Sequence, residues 1–175
     1  MSAQLFPGRY PFFMARKKWL DDREQRAWRA YLLTSRLLDE ALDRQLQRDS
    51  GLAHTHYGIL VQLSEAPDHT LRMNDLASLQ RFSQSRLTHA IARLERDGYV
   101  ERHQCESDRR GWFAVLTPAG MEALRAAAPG HAAEVRRLVF DRLSPAQIDA
   151  LADTCDTLLR GLDPPIACPE GAAAE

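Results

Sequence analysis

The chain contains only three cysteines, which stand far apart at Cys105, Cys155 and Cys168. An odd number at such wide spacing argues against a disulfide framework or a Cys-x-x-Cys zinc site, and it favours a reducing, cytoplasmic location. The sequence also lacks any run of about 18 apolar residues, so no membrane span is expected. Its N-terminal region lacks the uninterrupted apolar segment of a secretory signal, so none is expected there.

Sequence motifs that carry catalysis are absent as well. The chain has no Gly-x-Ser-x-Gly, no phosphate-binding loop and no His-Glu-x-x-His. Each of these motifs places reactive groups at a fixed spacing. We therefore expect neither an enzyme nor a cofactor.

Positive charge is concentrated in two segments. The formal net charge is −1, so binding to nucleic acid would depend on local charge. Residues 1–20 contain four cations and no acid, and residues 81–93 contain Arg81, Arg86 and Arg93, again without an acid. Arginine is suited to bidentate contact with guanine or phosphate, so both segments are candidates for DNA contact.

Residues 83–116 are the most informative stretch. Their first part predicts a helix, capped by Ser83, whose apolar residues recur at helical spacing; these are Leu87, Ala90, Ile91 and Leu94. The opposite side is polar or basic. A short ribbon follows, at 99–105 and 111–116, with a charged tip at 106–110. A basic helix beside an arginine-tipped hairpin is suited to reading one DNA groove and holding the next.

Further helices flank this unit. Periodicity predicts a long helix from about Asp22 to Asp49, a second from Tyr57 to Ala66 capped by Thr55, and a short third over 72–79. After the ribbon we predict a helix from Pro118 to Arg142, bent or interrupted at Pro129-Gly130, and a last helix from Pro145 to Arg160. The fold class is therefore mainly α with a small β-wing, a winged helix-turn-helix with flanking dimerisation helices.

The flanking helices have apolar stripes that are long for one small core. Burial against the same helices of a second copy is the simplest solution, so we expect a homodimer. The expected organisation is an irregular arm at 1–18, a main domain at 19–160 and a tail at 161–175. Within the main domain, the winged helix-turn-helix covers about 52–116, and the dimerisation helices cover about 22–49 and 118–160.

This order of elements resembles the MarR family of bacterial transcription regulators, in a branch that looks actinobacterial. The resemblance is carried by three runs: Ser83-Gln84-Ser85-Arg86-Leu87-Thr88, Leu94-Glu95-Arg96-Asp97-Gly98-Tyr99-Val100, and Asp108-Arg109-Arg110 followed by Leu116-Thr117-Pro118-Ala119-Gly120. It implies a homodimer on a pseudo-palindromic double-stranded DNA operator, acting as a repressor that a small aromatic effector releases.

The resemblance also implies roles for single residues. Gln84, Arg86, Thr88 and His89 would face base edges or nearby phosphates in the major groove, and Ser83, Ser85 and Arg93 would hold phosphates. Asp108 would orient Arg110, and Arg110 or Arg109 would enter the minor groove. Many members have glycine where this chain has Arg81, which puts the left-handed turn in question and suggests a DNA-backbone contact instead.

Three further interpretations remain beside this one. His54 and His56 could bind a metal with His131, Asp39 or Glu40, but without a clear third ligand we expect capping and surface positions and no metal. Redox sensing at Cys105 is not expected. Trp28, Tyr31, His56 and Tyr57 could line the effector pocket.

A winged helix used only for protein contacts is the alternative function. That function would predict apolar residues on the outward face of residues 84–93, where the sequence has polar and cationic ones.

Overall fold

A computed structural model of the chain describes residues 19–104 and 111–162. The chain divides into two units between Arg36 and Leu37, and helix α1 (Asp22–Ser50) crosses the division. Asp21 begins this helix as part of a capping box. Its carboxylate accepts the Glu24 N–H at 2.8 Å, and the Glu24 carboxylate accepts the Asp21 N–H at 2.8 Å. This confirms the predicted start.

In the first unit, the apolar side chains of α1 are exposed. Trp28 and Tyr31 stack with ring centroids 6.0 Å apart, and Leu32 and Leu33 are exposed as well. The predicted apolar stripe is thus present but not buried within the single chain.

The second unit contains the remaining elements. They are α2 (His54–Glu65), β1 (Thr70–Arg72), α3 (Met73–Leu79), α4 (Gln84–Arg96), β2 (Val100–Gln104), β3 (Trp112–Leu116), α5 (Pro118–Leu138) and α6 (Pro145–Leu162). Single 3-10 turns lie at Pro67–His69 and Phe140–Arg142. In the described part of the chain, no helix has the length and apolar character needed to cross a bilayer. The predicted class is confirmed: helices with a small antiparallel sheet.

The start of α2 differs from the prediction. The helix begins at His54, its N-cap is Ala53, and Thr55 does not cap it. Instead, the Asp43 carboxylate of α1 accepts the His54 N–H at 2.8 Å. A carboxylate from a neighbouring helix satisfies the free N–H groups as well as a local hydroxyl does. Sequence spacing does not reveal such a contact.

The sheet contains one strand that the sequence did not predict. The strand order is β1-β3-β2 and all pairs are antiparallel. In β1, Leu71 pairs with Ala114, and in the ribbon Arg102 pairs with the other side of Ala114. A strand of three residues has no detectable alternation, and β1 forms only because β3 offers it a free edge.

The core of the second unit joins all its layers except α6. Its fully buried side chains come from α1, α2, α3, α4 and the wing: Leu46, Ile59, Leu60, Leu63, Leu76, Leu87, Ile91, Leu94 and Val100. Leu124 and Ala127 of α5 close the cluster. Each such leucine or isoleucine stabilises the fold by about 1.5–3 kcal/mol relative to exposure. Helices α3 and α4, strands β2 and β3 of the wing, and helix α5 therefore share one core.

Helix α5 ends earlier than predicted, and α6 ends at Leu162 and not at Arg160. Helix α5 continues through Pro129 without interruption and ends at Leu138, not at Arg142. Pro129 removes one N–H from the helix, and the packing of Leu124 and Ala127 offsets that loss. Helix α6 contains no buried residue.

The junction between the wing and α5 leaves no room at Gly120. Thr117 caps α5 by accepting the Gly120 N–H at 3.0 Å, and its hydroxyl donates to the Gly98 carbonyl at 2.7 Å. A Cβ at Gly120 would overlap the carbonyl oxygen of Tyr99 and lie 2.8 Å from the Leu116 side chain.

We predict that Gly120→Ala lowers the free energy of unfolding by about 3 kcal/mol, because backbone must move to admit the methyl group. Gly161→Ala is the matched control, since a Cβ there meets nothing within 4 Å. That variant should gain or lose less than about 1 kcal/mol. Urea unfolding followed by circular dichroism measures both, and equal stabilities would contradict the tight junction.

Candidate nucleic-acid interface

The turn between α3 and α4 is fixed by backbone hydrogen bonds. The Phe82 N–H donates to the Ala77 carbonyl at 2.9 Å, and the Arg81 N–H donates to the Ser78 carbonyl at 3.1 Å. The Gln80 side chain donates to the Gly58 carbonyl at 2.9 Å and so joins the turn to α2. The entry angle of α4 is thus determined by main-chain contacts.

Arg81 adopts the left-handed conformation, with φ of 53°. The departure from glycine at this position therefore does not change the turn. A side chain in this conformation costs roughly 1–2 kcal/mol, which the surrounding hydrogen bonds must offset. The side chain itself is exposed.

Helix α4 begins at the predicted cap. The Ser83 hydroxyl accepts the Arg86 N–H at 3.3 Å and lies 3.2 Å from the Ser85 hydroxyl. Leu87, Ile91 and Leu94 are fully buried, which confirms the predicted division into two faces. The outward face carries exposed side chains at every predicted position: Ser83, Gln84, Ser85, Arg86, Thr88, His89 and Arg93.

Several of these side chains already have partners. The Arg86 guanidinium lies 4.2 Å from the centroid of the Phe82 ring. The Thr88 hydroxyl donates to the Gln84 carbonyl at 2.8 Å, and Arg93 pairs with Asp97 at 3.0 Å. Stacking on Phe82 restricts the Arg86 side chain, which lowers the entropy lost when it binds. Phe82 was not among the predicted site residues.

The wing stands beside this helix. Arg102 of β2 pairs with Glu95 of α4, with Nη2 2.7 Å from Oε2. The predicted wing-tip residues Asp108, Arg109 and Arg110, and Cys105 before them, lie outside the described residues. Their proposed contacts therefore stay predictions.

A cleft of about 420 Å³ separates the first half of α4 from the wing. Gln84 and Thr88 line it on the helix side, and Arg102 and Trp112 line it on the wing side. Arg72 and Asn74 contribute from β1 and α3. The sequence does not predict these contributors, because β1 and the pairing register, not local spacing, bring them to the helix.

The four residues of the predicted effector pocket fall in different units. Trp28 and Tyr31 are exposed in the first unit, where they contact each other. His56 and Tyr57 lie on α2 in the second unit. Burial lowers the pKa of His56 below its usual value and raises the pKa of Tyr57.

The histidines considered as metal ligands have other contacts. The His54 ring nitrogen lies 2.8 Å from an Asp39 oxygen. The His131 ring is 5.5 Å from His54 and 4.5 Å from Tyr57. Burial, and then the nearby His54, lower the pKa of His131. Within 19–104 and 111–162, no group of three or more His, Cys, Asp or Glu side chains could hold a metal ion.

Known proteins similar to this chain are transcriptional regulators. A model of the MarR family matches residues 50–111. The crystal structure of Sco3205, a MarR family transcriptional regulator from Streptomyces coelicolor solved in complex with DNA, is 48% identical, with a TM-score of 0.80. The match covers 90% of this chain and 96% of that one.

Two other relatives are also transcriptional regulators. AbsC, a MarR family regulator also from Streptomyces coelicolor, is 45% identical with a TM-score of 0.77, over 83% of this chain and 98% of that one. The transcriptional repressor MprA of Escherichia coli is 27% identical over 131 residues, which are 75% of this chain and 73% of MprA.

We predict that the free energy of unfolding of Arg81→Gly is about 1 kcal/mol higher than that of Arg81→Ala. Both variants lose the same side-chain contacts, but only glycine relieves the left-handed conformation. Thermal unfolding of the two purified variants measures the difference. Equal stabilities would mean that the turn holds no strain at this residue.

Proposed function

The chain belongs to the MarR family of transcriptional regulators, and from this premise we propose that it is a homodimeric repressor that binds a pseudo-palindromic double-stranded DNA operator. The observation that carries the proposal is the outward face of α4. Seven predicted contact residues between Ser83 and Arg93 are exposed there together, with no acid among them. A polar, cationic helix face of this kind fits the DNA major groove.

Two parts of this surface have different roles: one recognises the base sequence, and the other holds the DNA backbone and the minor groove. Gln84, Arg86, Thr88 and His89 contact base edges or nearby phosphates, and Arg86 approaches its base with a guanidinium already stacked on Phe82. Ser83, Ser85 and Arg81 hold phosphates. Arg93 reaches a phosphate from its ion pair with Asp97. The wing tip, with Asp108 orienting Arg110 or Arg109, enters the minor groove.

The dimer follows from apolar side chains that the single chain leaves exposed. Helix α6 exposes Leu151, Leu158, Leu159 and Leu162, and Phe140 precedes it. In the first unit, Trp28, Leu32 and Leu33 are exposed as well. By contrast, Leu46 of α1 and Leu124 of α5 are buried in the core of the same subunit. We therefore restrict the dimer surface to the first turns of α1 and to α6. Both belong to the predicted helices 22–49 and 118–160, except that α6 continues to Leu162.

The proposal also includes repression and its release by a small ligand. MprA is a repressor by name, which supports the same direction here. A small aromatic effector would release DNA by binding better to the DNA-free form. Trp28, Tyr31, His56 and Tyr57 stay candidate contacts, each taken by itself. The arm 1–18 adds phosphate contacts or wraps the partner subunit. The predicted tail at 161–175, whose first two residues belong to α6, has no other assigned role. A cytoplasmic location belongs to the same proposal.

A protein-interaction module is the other candidate function. It needs an apolar outward face on α4, and the exposed residues there are polar. Selection of duplex DNA from a random pool by the purified protein separates the two functions. A regulator enriches a two-fold symmetric sequence whose half-site centres lie about 34–36 Å apart, whereas an interaction module enriches none.

We predict that Arg86→Ala changes the enriched sequence by removing discrimination at one base pair of each half-site, worth about 1–3 kcal/mol. Arg96→Ala is the control. It removes the same charge from the last turn of α4, where the side chain is also exposed. That variant should weaken binding uniformly and keep the preferred sequence. Identical selected sequences from Arg86→Ala and the unaltered protein would remove Arg86 from base recognition.

We predict that Leu158→Glu shifts the dimer toward monomer by at least about tenfold in dissociation constant, because an unpaired carboxylate would be buried at the interface. Thr157→Glu adds the same charge at an exposed position about 100° around α6 from Leu158 and should leave the dimer intact. Sedimentation velocity at micromolar protein measures both. A stable Leu158→Glu dimer would place the interface elsewhere.

A further inference from the structure

The Glu95–Arg102 ion pair joins α4, the proposed recognition helix, to strand β2 of the wing. The two side chains are only 27% and 33% exposed, and their nearest atoms are 2.7 Å apart. The Glu122–Arg125 pair, by comparison, connects two residues of one helix, and its side chains are 73% and 68% exposed. A half-buried, charge-assisted contact between two elements contributes more than an exposed pair.

Arg102 is held on a second side by an aromatic ring. Its guanidinium lies 5.9 Å from the centroid of the Trp112 ring on the neighbouring strand. Its Nε is buried and has no hydrogen-bond partner among the described residues. The planar guanidinium can stack on a ring while its edge N–H groups meet a carboxylate, whereas a lysine ammonium has no plane to stack. The residue type therefore suits a connecting position.

The position of the pair matters because the helix–wing boundary, closed at its base by the core, opens into a cleft beside the first half of α4. This cleft of about 420 Å³ lies between Gln84 and Thr88 on the helix and Arg102, Gly111 and Trp112 on the wing. Glu95 lies about 10 Å further along the helix axis than Thr88, at 1.5 Å per residue. The base of the wing is fixed in the core by Val100 and Ala114, but beyond them His103 and Gln104 are exposed.

We propose that Glu95 and Arg102 are positioning residues that hold the wing at a fixed angle to the recognition helix. This inference rests on the proposed function, since a fixed angle lets helix and wing meet two grooves as one rigid body. A wing that turns freely must be ordered when DNA binds, and that ordering lowers affinity. Neither residue needs to touch DNA.

For Glu95→Gln, the proposal and simple electrostatics predict opposite changes in DNA affinity. Removing a carboxylate near DNA lowers repulsion and should tighten binding. If the pair fixes the wing, the same change should weaken binding by about tenfold, which corresponds to about 1.4 kcal/mol. Glu101→Gln is the matched control, because Glu101 lies on β2, is exposed, and its carboxylate faces His103 at 3.4 Å. That variant should bind equally well or more tightly.

The first measurement needs no DNA. Amide hydrogen exchange in β2 and β3 of the free protein should be at least about tenfold faster in Glu95→Gln than in Glu101→Gln, with core amides of α2 unchanged. Arg102→Lys should behave like Glu95→Gln, because it keeps the charge but loses the planar contact. A double Glu95→Gln, Arg102→Gln variant should exchange no faster than the single variants. Unchanged exchange in the wing of both single variants would overturn the inference.

The second measurement uses the operator selected by the unaltered protein. In Glu95→Gln, hydroxyl-radical protection in the minor groove should weaken, while guanine N7 protection in the major groove persists. Equal or tighter binding of Glu95→Gln would overturn the inference even if the wing exchanges faster. If the unaltered protein selects no duplex, the proposed function fails, and the exchange result alone decides whether the pair fixes the wing.

Discussion

The burial of one face of α4 is the constraint on which the rest of this structure depends. Leu87, Ile91 and Leu94 are fully buried, and together they contribute roughly 5–9 kcal/mol at 1.5–3 kcal/mol each. Because a helix repeats every 3.6 residues, fixing this face fixes the opposite one. The polar and cationic side chains are thus directed outward by the apolar residues between them. The outward face keeps its place because the buried residues, and not the contact residues on the surface, stabilise the fold.

Much of this arrangement could be predicted from the sequence because its causes are local. The Ser83 cap and the two faces of α4 depend on residues within one or two turns. Features that depend on distant residues were missed or wrong. Strand β1 exists only through its pairing with β3, and α2 is capped by Asp43, eleven residues before His54. Helix α5 passes through Pro129 because its packing against the core outweighs one lost hydrogen bond.

The candidate site shows the same division. Periodicity placed Gln84, Ser85, Arg86, His89 and Arg93 opposite the apolar residues of α4. The family resemblance added Ser83 and Thr88, and all seven residues are exposed. The cleft and the Glu95–Arg102 pair were not predicted, because they depend on how the strand register turns Arg102 toward the helix. Phe82 and Arg86 are close in sequence, but the stack was not predicted, because an aromatic residue in a turn is usually interpreted as a core residue. Geometry between elements is therefore where the structure adds most to the sequence.

A shared core also limits how release of DNA could work. Leu124 and Ala127 of α5 lie in the same cluster as Ile59 of α2 and Leu87 of α4. A well-packed core does not deform continuously, so a shift of α2 or α5 must move α4 as a unit or leave it in place. A ligand near His56 and Tyr57 therefore has to favour a second packing of the whole cluster. The proposed effector is then expected to change the spacing of the two recognition helices in the dimer, and not the side chains that read the bases.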